Sequence, residues 1–312
     1  MRKNAGASFA SLFRRFEDEY GDAYARLAAQ LRTSYPEITR SGRRTGRALR
    51  NICFIIWCCF RERDRKLIPV LFRVAVLLSA QDDFYDNPRI AIKDKELFCS
   101  GINHDLRKGG TVARRPPPVA GRPSPAARRP PPVAQLRDLT SLWSYVARTI
   151  PRSPSRARCY WIQTACQLND AMAAENRSLR RATSSYEDYM RTAVYSIGMV
   201  FIWATYLAHE HLPAATLREM TPVLVEGARV VRLSNDIASY RQRKNKLNAL
   251  NLMRGDHPET RIRRLVMQGS RAFRRRVEVL DVGAQVRGVL LHSMSFLRDF
   301  YQRSDFHRGR AW

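Results

Sequence analysis

LIPVLFRVAVLLSAQDDFYD, residues 67–86, sets an apolar helical run against a cluster of aspartates, and its reading decides the fold. The run from Leu67 to Ala80 is interrupted only by Arg73, so it reads as a buried helix and falls short of the roughly 20 apolar residues needed to span a bilayer. Asp82 and Asp86 follow it one helical turn apart, share a face, and are flanked by Asp83. Three acids gathered behind an apolar helix repel one another unless something positive meets them. Mg²⁺ is a fitting partner because it takes oxygen ligands, usually one or two carboxylates together with waters and substrate phosphates. The plain alternative is a solvated acidic helix end.

Working outward from that run, apolar residues recur at three- and four-residue spacing along most of the 312 residues, and alternating β-branched runs are missing. The spacing predicts helices near 8–33, 46–62, 66–82, 136–150, 155–180, 184–210, 215–244, 258–278 and 283–303, an all-α fold in a single domain over 1–312. One segment departs from this pattern. At 109–134 Gly, Pro and Arg crowd together, and ARRPPPVA occurs at both 113–120 and 127–134. Consecutive prolines favour extended chain over helix, which predicts a loop or disordered insertion.

The charge is lopsided, with 55 Lys+Arg against 28 Asp+Glu and a formal net charge of +27. Forty-eight of the cations are Arg and seven are Lys, a skew that also reads as the codon bias of a GC-rich genome. Such a field draws polyanions: nucleic acid, anionic membrane, or a phosphate-bearing small substrate. No single helix reads as a basic stripe and no nucleic-acid-reading motif is recognisable. The six cysteines show no CxxC pairing and mostly sit in apolar runs, which reads as buried thiols in a reducing compartment. With no transmembrane run and no secretory h-region, a cytoplasmic protein is expected.

About 150 residues beyond the aspartates, the chain reads Arg232-Leu-Ser-Asn235-Asp236-Ile-Ala-Ser239-Tyr-Arg-Gln-Arg243. Residues 235, 239 and 243 recur at i, i+4 and i+8 and line one face over roughly 12 Å, enough for a metal and the phosphates beside it. Taken together, DDxxD in the first third and NDxxS in the last third resemble the two metal-binding motifs of class I terpene synthases. The resemblance covers nearly the whole chain apart from the proline-rich segment.

That resemblance implies a helical bundle around a central cavity, in which the motifs face each other and hold three Mg²⁺ ions, with Mn²⁺ as a substitute, on a prenyl diphosphate. Carried over residue by residue, Asp82, Asp83 and Asp86 match the first motif, while Asn235 and Ser239 match the second. The family's third ligand, Glu or Asp, is Arg243 here, and no acid occurs between Ile237 and Gly255. Arg carries donors only and stays protonated, so it cannot ligate Mg²⁺. Gln242, Asn245 or water takes the position, or Arg243 binds phosphate directly, with Lys244 beside it.

In the family an arginine that senses the diphosphate lies roughly 45 residues before the second motif and is followed by a helix break. Arg191, followed by Ser196-Ile197-Gly198, falls in that window, and Arg232 resembles a frequent phosphate-facing position. The C-terminal Arg-Tyr pair is replaced by a stretch in which Arg303 or Arg308 stands in. Phe84, Tyr85, Trp161, Tyr195, Phe201 and Trp203 are aromatic candidates for the cavity wall, with ordinary core packing as the commoner role.

The flavour of the motifs resembles bacterial diterpene synthases, which implies a C20 or bicyclic copalyl-type diphosphate, with C15 farnesyl diphosphate as the alternative. No DxDD motif is present, so class II protonation is not expected. A homodimer is allowed. The rival readings are a basic helical nucleic-acid-binding protein and a synthase that has lost activity.

Overall fold

Thirteen helices build the described part of the chain, which in this computed structural model comprises residues 9–40, 47–61, 66–109, 132–152, 155–178, 185–210, 212–240, 248–253 and 256–303. In order they are α1 (Phe9–Ser34), α2 (Pro36–Arg40), α3 (Arg47–Phe60), α4 (Ile68–Asp86), α5 (Ile92–Gly109), α6 (Pro132–Thr149), α7 (Ser155–Ser178), α8 (Tyr186–Ser196), α9 (Met199–Leu207), α10 (Ala214–Tyr240), α11 (Ala249–Leu252), α12 (Pro258–Val279) and α13 (Ala284–Arg303). No strand occurs among the described residues, as expected of an all-α chain. Most of the insertion, residues 110–131, lies outside the described residues, and α6 begins on Pro132, where a missing N–H removes no helical bond.

Two interior features fix the layout. Phe13, Phe16, Phe54, Trp57 and Phe72 interlock α1, α3 and α4, with ring centroids 5.0–6.2 Å apart. Deeper in, Trp143 of α6 and Trp161 of α7 each lie 5.4 Å from Phe201 of α9. The buried indoles are satisfied, since Trp161 donates to Thr205 Oγ1 at 3.0 Å and Trp203 to Ser293 Oγ at 2.9 Å. Thus Phe84, Trp161, Phe201 and Trp203 are core residues packed against their neighbours.

The structure corrects three expectations. Helix α5 was not foreseen. Its inward face mixes Phe98, Ile102 and Leu106 with the buried polar side chains Lys95 and Asn103, which breaks the apolar period. The single helix expected over 184–210 is two, divided at Ser196-Ile197-Gly198: Gly198 adopts a left-handed φ of 79° and its amide N–H donates to the Tyr195 carbonyl at 3.0 Å, closing α8. An alanine there would place Cβ 2.8 Å from Leu78 Cδ1 on α4, so the left-handed backbone disfavours a side chain and the Leu78 methyls would have to move to admit one. Third, a basic stripe does exist: α12 buries Ile262, Val266, Ser270, Phe273 and Val277 while Arg261, Arg264, Arg271 and Arg275 lie exposed along its outer side.

The helices that carry the two motifs are linked by shared neighbours. α7 and α9 both pack against α4 and against α10, and α7 also lies along α5 and α8. The polar side chains of α7 therefore reach both motif ends.

Candidate active site

At the end of α4 the acids are displayed by what is locked behind them. With about 100° per residue, Gln81, Phe84 and Tyr85 take the inward arc of the last turns, while Asp82, Asp83 and Asp86 take the outward one. Gln81 is fully buried: its Nε2 donates to Asn169 Oδ1 at 2.7 Å and its Oε1 accepts from Trp143 Nε1 at 2.9 Å. The chain of amides continues from Asn169 Nδ2 to Asn103 Oδ1 at 2.9 Å and from Asn103 Nδ2 to Asp170 Oδ1 at 2.8 Å. One turn on, the Tyr85 carbonyl accepts from Lys95 Nζ at 2.5 Å and from Asn176 Nδ2 at 2.6 Å. The helix stops there because Asn87 precedes Pro88 and is extended at ψ 111°. Asp82 and Asp83 are half-buried and Asp86 is exposed.

The last turns of α10 are built the other way round. Asp236 is 1% exposed and receives hydrogen bonds from Tyr189 Oη (2.8 and 3.0 Å), Arg232 Nε (3.1 Å) and the Ala249 amide (3.1 Å). Arg232 also donates from Nη2 to Glu175 Oε1 at 2.8 Å and from Nε to Tyr189 Oη at 2.7 Å, with its guanidinium 5.1 Å from the Tyr189 ring centre. Ser196 Oγ closes the group onto Glu175. Burial pushes the Asp236 carboxyl above the usual carboxylate range despite Arg232, and it likewise raises the Tyr189 hydroxyl. For Arg232 burial acts downward, but Glu175, Tyr189 and Asp236 outweigh it and hold the guanidinium firmly charged.

Asn235 and Ser239 lie beside this cluster on the same polar arc and are half-buried. The Ser239 hydroxyl donates to the Asp236 carbonyl at 3.2 Å. Glu175 and Asn176 are successive residues of α7, so one helix ties the Tyr85 carbonyl at the aspartate end to Arg232 at the second motif.

Of the remaining sequence candidates, Arg191 has 76% of its side chain exposed and pairs with Asp188 in the first turn of α8. Tyr189, about 200° around the helix from Arg191, is the α8 residue that meets the second motif. Arg303 ends α13, while Gln242, Arg243, Lys244, Asn245 and Arg308 lie outside the described residues.

Sequence reasoning did not single out Glu175, Asn176, Tyr189 or Lys95. A signal was present in the seven-residue spacing of Asn169 and Asn176 on α7 and the four-residue spacing of Lys95, Cys99 and Asn103 on α5, polar residues that recur where a helix faces its neighbours. Among the described residues no three His, Cys, Asp or Glu side chains converge into a metal cage of their own. The donor set fits Mg²⁺ in its usual mode, in which one or two carboxylates share the ion with waters and phosphate oxygens.

No helix among the described residues is long and apolar enough to cross a membrane. No curated relative matches the sequence. Among solved structures, linalool/nerolidol synthase from Streptomyces clavuligerus superposes with a TM-score of 0.68 at 14% identity, covering 90% of this chain and 95% of that one. Its complex with 2-fluorogeranyl diphosphate gives 0.65 at 15% identity over 93% and 98%. Hedycaryol synthase in complex with nerolidol gives 0.58 at 13% identity over 91% and 92%. At such identities the likeness establishes the fold. A family model described as terpene synthase family 2, C-terminal metal binding, matches residues 73–254, more than half of the chain and a span that takes in both motifs. The chain thus belongs to the terpene synthase family, whose members are lyases acting on prenyl diphosphates.

Proposed function

We propose that this protein is a Mg²⁺-dependent class I synthase, one catalytic unit that ionises a C20 prenyl diphosphate, linear or bicyclic, and releases diphosphate and a diterpene. The observation that carries the reading is the outward display of Asp82, Asp83 and Asp86 on a helix end locked from behind, joined through Glu175 and Asn176 of α7 to the arc that bears Asn235 and Ser239. Asp82, Asp83, Asp86, Asn235 and Ser239 supply the oxygens for the ions. When bound, Mg²⁺ neutralises charge as it develops on the leaving diphosphate. Arg191, whose guanidinium stands in solvent, and Arg243, Lys244 and Arg308 supply further positive charge to the phosphates.

Arg232 acts one layer behind, fixing α10 so that Asn235 and Ser239 keep their face. The buried aromatic core offers no nucleophile that would trap a cation. Cys53, Cys58, Cys59, Cys99 and Cys166 are buried and unbridged, which suits the reducing cytoplasm.

The test is incubation of purified protein with geranylgeranyl, farnesyl and copalyl-type diphosphates, with and without Mg²⁺, followed by gas chromatography–mass spectrometry. A Mg²⁺-dependent diterpene abolished by Asp82→Ala and Asn235→Ala is the expected result. Product from farnesyl diphosphate alone would move the substrate to C15; one structural neighbour, a linalool/nerolidol synthase, is bound to 2-fluorogeranyl diphosphate, a chain shorter than C20. No product from any of the three would remove the active-synthase reading.

A second reading has its own observation in α12. Arg261, Arg264, Arg271 and Arg275 recur at i, i+3, i+10 and i+14 on its exposed side, a row of roughly 20 Å that suits the phosphates of a nucleic acid. Retardation of DNA at physiological salt that disappears on changing Arg264, Arg271 and Arg275 to Gln would support it; unretarded DNA would exclude it.

A further inference from the structure

Lys95 is the charged side chain that the roles above leave unexplained. It sits in the first turn of α5, is 2% exposed, and sends its ammonium 2.5 Å to the Tyr85 carbonyl and 3.5 Å to Asn176 Oδ1. Taking an ammonium out of water is costly unless strong partners meet it. The Tyr85 carbonyl is such a partner, since it belongs to the last turn of α4, where carbonyls have no intrahelical donor and the helix dipole concentrates negative charge. Asn176 already donates to the same oxygen at 2.6 Å, so its hydrogen-bonding need was met without a lysine. What Lys95 adds is charge, buried behind a turn whose outer side bears Asp82, Asp83 and Asp86.

Resting on the reading of those aspartates as metal ligands, we propose that Lys95 is a positioning residue for the metal–diphosphate site. Its ammonium offsets the dipole of α4 and the mutual repulsion of the three carboxylates, and so keeps the last turn helical and the carboxylates in register before cation and substrate arrive. The polar face of α5 supports it: Cys99 and Asn103, one and two turns on, both donate to Asp170 Oδ1 of α7, at 3.5 and 2.8 Å. They hold α5 and α7 together beneath α4.

The test separates charge from hydrogen bonding. Lys95→Gln keeps an N–H donor for the carbonyl and removes the charge, and Lys95→Met removes both. Mn²⁺ binding in the presence of inorganic diphosphate is read by electron paramagnetic resonance, beside the Mg²⁺ concentration for half-maximal turnover and the thermal midpoint. Both variants are expected to weaken Mn²⁺ binding and raise the Mg²⁺ requirement by about tenfold, the lower end of what loss of an outer-shell partner does, with turnover at saturating Mg²⁺ within about threefold of wild type. Should Lys95→Met fail to fold, Lys95→Gln carries the same expectation.

Metal binding unchanged in Lys95→Gln, with or without a lower midpoint, overturns the proposal and leaves Lys95 a structural cap. Asp82→Ala is the reference. Binding lost in Asp82→Ala and kept in Lys95→Gln defeats this proposal alone, whereas wild-type binding indifferent to Asp82→Ala defeats the metal-ligand reading beneath it as well.

Discussion

The two motif ends use their acids in opposite ways. At the end of α4 the carboxylates of Asp82, Asp83 and Asp86 are turned outward, and the buried groups behind them, Gln81 and the Tyr85 carbonyl, are held by amides and an ammonium. At the end of α10 the acid Asp236 is turned inward and is bonded by Tyr189, Arg232 and the Ala249 amide. Ala249 opens α11, so Asp236 also joins the far side of residues 241–247 to the helix that precedes them. A motif read as a string of polar letters therefore divides into residues on the outer arc of a helix end and residues that hold the helix still. Adjacent letters, Asn235 and Asp236, fall on different sides of that division.

The division breaks most readily at Arg232. If it is structural, Arg232→Met leaves Glu175 and Asp236 without their cation in the interior, and stability should fall by about 3–5 kcal/mol. Such a loss lowers the thermal midpoint by on the order of 10 °C, which calorimetry reads directly. A variant that melts with the wild type but has lost turnover would place Arg232 among the phosphate-facing residues, as its resemblance to the family's position implies.

The aspartate end should answer in the opposite currency. Asp82→Ala is expected to lower Mg²⁺-dependent turnover by about 100- to 1000-fold, the scale of losing one electrostatic contact to a developing anion. Its midpoint should stay close to wild type, because removing one of three neighbouring acids relieves repulsion as much as it forfeits contacts. A large fall in midpoint with turnover intact would mean that this end, too, is structural.

The parts legible in sequence were those decided by local pattern. The apolar run from Leu67 to Ala80 and the i, i+4 spacing of Asp82 and Asp86 carry α4 and its acids without help from the rest of the chain. Helix α5 was hidden because Lys95 and Asn103 are buried, and what makes burial tolerable lies far away in sequence, at Asn176 and Asp170. The joint between α8 and α9 left no mark in the periodicity, because Met199–Leu207 is buried on every side; only the family resemblance put a helix break at Ser196-Ile197-Gly198, where the backbone has Gly198 in the left-handed region. The arginine row of α12 was present at its spacing all along, masked by a chain that is arginine-rich throughout. Tyr189 and Glu175 could not be read without knowing that α7 and α8 both pack on α10.

Gly198 offers a smaller test that touches both ends, since it joins α8, which bears Tyr189, to α9 and abuts Leu78 of α4. Gly198→Ala imposes about 1–2 kcal/mol for the left-handed backbone, and its Cβ must also displace Leu78. Loss of stability accompanied by a higher Mg²⁺ requirement is expected, because Leu78 lies one turn before Asp82. A stability loss with an unchanged Mg²⁺ requirement would show that the two ends are set independently of this joint.

The smallest effect concerns an interior acid away from both motifs. Asp138 of α6 accepts from the Glu37 amide at 2.8 Å and the Ile38 amide at 3.4 Å, which caps α2. Burial raises its carboxyl above the usual range, and the two amides only partly oppose it. Between the unfolded and the folded pKa the native state then holds a proton that the unfolded chain has released. Stability contributed by this group is full below the unfolded value and is lost as pH rises through the folded one. Asp138→Asn keeps an oxygen for the Glu37 amide and removes the titration. Midpoints measured from about pH 4 to 7, starting near the ordinary carboxylate value, should show the variant gaining on the wild type as pH rises and then running parallel to it. Curves parallel over the whole range would mean that the two amides already match the cost of burial, and would place Asp138 with acids whose charge the fold accommodates.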